Sequence, residues 1–141
     1  MEKIMKKLIL HIGLMVGLAG FLSVVSANAQ TQTRYKAEIP FDFNIGNKTY
    51  QAGDYFINLA NSNTLTLEDA EGTNLLVKIV SPNEASDATK MIFNRYENQY
   101  FLAKVISPDF GVTMIKTNSE KQMAKNQNPQ TVPVNLAKPG K

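Results

Sequence analysis

Over residues 35–45 apolar and polar positions alternate. Tyr35, Ala37, Ile39, Phe41, Phe43 and Ile45 share one phase, and Lys36, Glu38, Pro40, Asp42 and Asn44 fill the other. Successive side chains of a strand point to opposite faces, so the pattern predicts a half-buried strand. Pro40 has no N–H to give a ladder, which places it at a sheet edge or a bulge. Shorter runs follow at 48–50, 55–60, 64–68, 74–81, 90–96, 100–107 and 112–116, with a polar loop at 82–89. Turn chemistry separates them, as at Ala52-Gly53-Asp54, Asp69-Ala70-Glu71-Gly72 and Ser107-Pro108-Asp109-Phe110-Gly111. Runs 90–96 and 100–107 form a hairpin around Glu97-Asn98-Gln99. Regularly spaced short strands predict an all-β domain, a small antiparallel β-barrel or β-sandwich.

The two ends of the chain read differently. Residues 1–7 carry Lys3, Lys6 and Lys7 against Glu2, residues 8–25 are mainly apolar, and Ser26-Ala27-Asn28-Ala29-Gln30 follows. Small side chains at Ala27 and Ala29 suit the narrow subsites of signal peptidase, so residues 1–29 are expected to be a signal peptide cut before Gln30. His11 inside the apolar run, and the absence of a basic cluster after it, argue against a retained membrane anchor. At the other end, Ser119 is placed to cap a short helix running to Lys125. Beyond Asn126 the chain is rich in Asn, Gln, Pro and Lys and is expected to be disordered. The expected division is therefore 1–29 signal peptide, 30–116 β-domain, and 117–141 short helix with a disordered basic tail.

Composition then removes chemistry. The whole chain has 15 Lys and Arg against 12 Asp and Glu, but cleavage would leave 12 against 11. Four scattered tail lysines without an interleaved aromatic do not make a nucleic-acid surface. The chain has no Cys, and its one His, His11, would leave with the signal peptide. Nucleophilic Ser–His or Cys–His arrangements and thiolate or imidazole metal sites are thereby excluded from the cleaved chain. No Gly-rich phosphate loop is present. The expectation is no catalytic residue, no metal and no cofactor.

Carboxylates and aromatics remain as candidates. Asp42, Asp54, Glu97 and Asp109 lie near aromatics, and two carboxylates can run a glycosidase, yet strand polarity and turn formation account for all four. Residues 68–72 lack the alternating acidic spacing of a calcium loop and read as a solvated hairpin tip. Phe41, Phe43, Tyr55, Phe93, Tyr96, Tyr100 and Phe101 line either a ligand site or the core. Arg95 shares the phase of Met91 and Phe93. It either points inward, needing Glu97, Asp42 or a bound anion, or reaches out to water at the strand end.

Ile39-Pro40-Phe41-Asp42-Phe43, Gly46, Ala52-Gly53-Asp54-Tyr55, Phe93-Asn94-Arg95-Tyr96 and Tyr100-Phe101-Leu102 together resemble a group of small exported β-rich proteins of acidobacterial-type soil bacteria. The resemblance implies an exported β-domain and no established activity. Glu97-Asn98-Gln99 departs from the group, which often has a Gly in that turn. The resulting expectation is an exported non-catalytic binding or structural module of the envelope or extracellular space. Its partner would be a small ligand or an envelope protein, with no integral membrane insertion after cleavage, since not every strand carries the lipid-facing band of an outer-membrane barrel. A surface protein-interaction module and a carboxylate-dependent glycosidase are the alternatives.

Overall fold

The computed structural model describes residues 33–138, except 62, 79, 80, 84 and 85. The expected signal peptide and residues 139–141 lie outside the described residues. Among the described residues, eleven strands and one helix follow in order: β1 (Tyr35–Ile39), β2 (Phe43–Ile45), β3 (Lys48–Tyr50), β4 (Gly53–Asn61), β5 (Thr64–Asp69), β6 (Asn74–Lys78), β7 (Ser81–Asn83), β8 (Lys90–Tyr96), β9 (Gln99–Ile106), β10 (Gly111–Thr113), α1 (Asn118–Asn126) and β11 (Gln130–Ala137). The strands form a curled, largely antiparallel sheet in the order β3-β2-β9-β8-β11-β1-β4-β5-β6, with β10 on β9 and β7 on β10.

The alternation over 35–45 resolves into two strands rather than one. β1 pairs with β4, Tyr35 opposite Ile57 and Ile39 opposite Gly53. Pro40 and its neighbours break the ladder, and β2 leaves for β9, where Asn44 lies opposite Phe101 in parallel. Pro40 thus stands at neither an edge nor a bulge. It marks the point where the chain changes neighbours, and the inward phase survives the break because Phe43 and Ile45 are buried like Ile39. The expected polar loop at 82–89 likewise contributes residues to β7, which pairs with β10.

The largest departure is at the C-terminus. Residues 130–137, expected to be disordered, form β11, which lies between β8 and β1. It runs beside β8 from Gln130 opposite Arg95 to Asn135 opposite Lys90, and meets β1 at Leu136–Ala37 and Ala137–Lys36. Val134 and Leu136 face the core. Pro133, opposite Ile92, falls where β11 has no β1 residue beside it, so its missing N–H costs no bond to β1. The polar composition of 127–141 hid an alternating Val132, Val134, Leu136 phase that buries one face and leaves Thr131, Pro133 and Asn135 exposed.

The interior is contiguous. Phe43, Ile57, Leu65, Leu67, Met91, Phe93 and Val105 are fully enclosed, joined by Tyr35, Ala37, Ile39 and Val112. Two hairpin details fix the registers. At residues 69–72 the Asp69 carboxylate accepts from the backbone N–H of Glu71 and Thr73 while Gly72 takes φ 83°, which is a solvated turn of the kind expected there. At the β8–β9 turn, Glu97 adopts φ 53°, a left-handed conformation unusual for a side chain with a Cβ.

Candidate functional site

The aromatics divide between two faces of the sheet. On the inner face the rings of Phe41 and Tyr100 stack at 3.8 Å between centroids, and Phe93 meets Phe41 edge-on at 5.1 Å. Phe43 packs edge-on against Phe93 at 5.5 Å and against Tyr55 at 5.1 Å. Each ring in this cluster uses its neighbours as walls. Tyr96 and Phe101 belong elsewhere: they lie on the outer face, edge to face at 5.9 Å.

Arg95 follows the inner phase but stands at the open end of β8. Its Nε donates to the carbonyl of Glu97 at 2.8 Å, Nη1 reaches Gln130 Oε1 at 3.5 Å, and the guanidinium lies 5.5 Å from the Tyr100 ring centroid. Its contacts are thus the Glu97 backbone, not its carboxylate, and a residue of β11. The long side chain covers the aromatic cluster while its charge reaches the half-exposed rim.

The four carboxylates are engaged separately. Asp42 Oδ1 accepts from Ala52 N at 2.9 Å, and Asp54 pairs with Lys36 at 2.6 Å. Glu97 is exposed at its hairpin tip. Asp109 accepts from the Tyr35 hydroxyl and lies 3.5 Å from Lys138 Nζ. The Tyr35 bond, opposed by some desolvation and helped by Lys138, holds the Asp109 carboxyl below its ordinary value. Burial, with Asp109 beside it, pushes the Tyr35 hydroxyl up. Among the described residues, no group of three or more acidic or histidine side chains is placed to hold a metal ion.

A polar centre absent from the sequence reading lies on the outer face, under α1. Thr117, not Ser119, caps the helix: its hydroxyl accepts from Glu120 N at 3.0 Å. Thr117 and Glu120 have the spacing of a capping box, but the Glu120 carboxylate turns to the sheet and takes a 2.9 Å hydrogen bond from Asn94 Nδ2. Glu120 is only 3% exposed, which makes it an unusual buried acid on a helix whose other charged residues face water. The Tyr96 hydroxyl is buried nearby without a hydrogen-bond partner. Burial first, and then the Glu120 charge, raise its pKa.

Beside this centre opens a cleft of about 430 Å³. Outward residues of β8, β9 and β10 floor it, with Ile92, Ile106 and Thr113 among them, and Asn94 and Glu120 close one side. Lys90, Lys104 and Lys116 also line it. The signals for this site in the sequence are the Thr117–Glu120 spacing and the polar Asn94 amid the hydrophobic β8. Neither carries chemistry until β8 and α1 meet.

Comparison with known protein families, with characterised proteins and with solved structures returns no match.

Proposed function

We propose that the chain is an exported, non-catalytic binding module of the cell envelope or extracellular space, built on a small closed β-barrel and binding its ligand in the cleft beside α1. The observation that carries this reading is the placement of a buried, Asn94-held Glu120 at the wall of an open cleft on the outer face. Ligand sites typically combine apolar lining with a few fixed polar groups, and this cleft has both. The inner aromatics, by contrast, are occupied with one another.

Barrel closure is favoured by the pairings. From β9 one path runs through β8, β11, β1, β4 and β5 to β6, and the other through β10 to β7, the next strand in the chain. Export is favoured by the tripartite pattern of residues 1–29. No described helix is long and apolar enough to cross a membrane.

Two measurements test the reading. The mass of the protein from the extracytoplasmic fraction should correspond to a chain starting at Gln30, and an intact Met1 terminus refutes export by cleavage. A thermal-shift panel of lipids, carbohydrates and organic acids should contain a stabilising compound, since a ligand at a hundred times its Kd adds about 2.7 kcal/mol. Uniform absence of stabilisation counts against a ligand-binding module.

One observation favours the second reading, a protein-interaction surface. Ile115 is 56% exposed and lines a hollow beside the edge strand β3. Ile115→Lys should then abolish capture of an envelope partner; undiminished capture removes Ile115 from that role.

A further inference from the structure

The chemistry of the cleft names a class of ligand, an inference that rests on the binding-module reading. Lys90 lies opposite Ile106, and Lys104 opposite Ile92, across the β8–β9 ladder. The two lysines are therefore diagonal neighbours on one face, a step of about 7–8 Å. Lys104 also lies opposite Thr113 of β10, and Lys116 follows three residues later. Three cations thus gather round one hollow. Among the described residues none of them forms an ion pair.

Glu120 is the acid at this hollow, and its carboxylate is turned to Asn94. The site keeps a formal excess of two positive charges. Like charges this close on one sheet face repel, and nothing in the fold of β8–β9 requires them. Between the lysines the floor is apolar, formed by Ile92 and Ile106. A small inorganic anion would satisfy the cations and leave that floor wet. A neutral lipid would cover the floor and leave the cations unpaired.

We infer that the cleft binds an amphiphilic anion, a carboxylate or phosphate head on an apolar body, with the head among Lys90, Lys104 and Lys116 and the body over Ile92 and Ile106. Lysine suits this task as a mobile point charge, which takes either head without the fixed fork of arginine.

The test is a nuclear magnetic resonance titration of the protein with decanoate, 1-decanol and inorganic phosphate, followed at the amides of Ile92, Asn94, Lys104 and Thr113. Decanoate should move these amides and bind more tightly than either other probe. A Lys90→Gln/Lys104→Gln double variant should bind decanoate about tenfold more weakly, with 1-decanol unaffected. Both lysines reach the surface, and an unchanged spectrum away from the cleft verifies that the variant is folded. Equal binding of 1-decanol and decanoate overturns the role of charge while leaving a binding cleft in place. Phosphate binding as tightly as decanoate overturns the role of the apolar floor. If no probe moves these amides the ligand class falls, and the thermal-shift panel then decides the broader reading separately.

Discussion

Glu97 shows how one backbone angle weighs on stability. A left-handed conformation costs a residue with a Cβ about 1–2 kcal/mol, part of which glycine's larger unfolded-state entropy offsets. With φ 53° and an exposed side chain at the hairpin tip, Glu97→Gly should stabilise the protein by about 1 kcal/mol and raise the thermal midpoint by about 4 °C. A lower midpoint would show that the Glu97 side chain does something the turn needs. Asp109 makes the complementary point about charge. Its pKa is lowered in the folded state, chiefly by the Tyr35 hydroxyl, so it binds its proton less readily there than when unfolded. Its stabilising contribution is present above the ordinary carboxyl range and is lost as pH falls through the lower folded value. Asp109→Asn should flatten the limb on which stability falls as pH drops below the ordinary carboxyl range, and an unaltered limb would assign acid sensitivity to other carboxylates.

At the scale of elements, β11 is where composition misleads, while the short helix expected up to Lys125 is present as α1. Strand β8 was legible to the residue, because Lys90 to Tyr96 is a short, mainly apolar run bounded by a polar loop and turn residues. Strand β11 does alternate, yet Pro133, the flanking prolines and the amides suggested a chain too polar to order. Its ordering comes from two neighbours, β8 and β1, which no local window contains. Ending the chain after Gln127 should therefore abolish the cooperative unfolding transition followed by circular dichroism. A truncated protein that melts like the full chain would return 128–141 to the status of a tail. Helix α1 depends on the sheet in its turn. Asn94→Ala removes the hydrogen bond to a buried carboxylate, so the urea midpoint should fall by the equivalent of about 1–3 kcal/mol, with cleavage by protease rising first within residues 118–126.

For the whole molecule, the curled sheet carries a single core shared by the β9–β8 and β1–β4–β5 sides. The fold class was readable because alternation and turns recur along the chain. The candidate site was not, because Asn94, Glu120 and the three lysines come from three separate stretches and acquire meaning only through register. A shared core also predicts shared unfolding. Ile57→Ala in β4 and Met91→Ala in β8, both enclosed, should each cost about 2–5 kcal/mol. Each should shift one transition that near- and far-ultraviolet circular dichroism trace alike. Separate transitions for the two variants would divide the sheet into independent units.

The place of β11 between β8 and β1 also sets a timetable. The first described strand of the chain pairs early with β4 but gains its second neighbour only from the last described strand, about a hundred residues later, and pairings of such long sequence separation form slowly. A ribosome or a translocation pore still holding residues 130–137 would hold a chain whose sheet lacks its central link. On the proposed reading as an exported module, that delay keeps the polypeptide threadable until residues 130–137 are free.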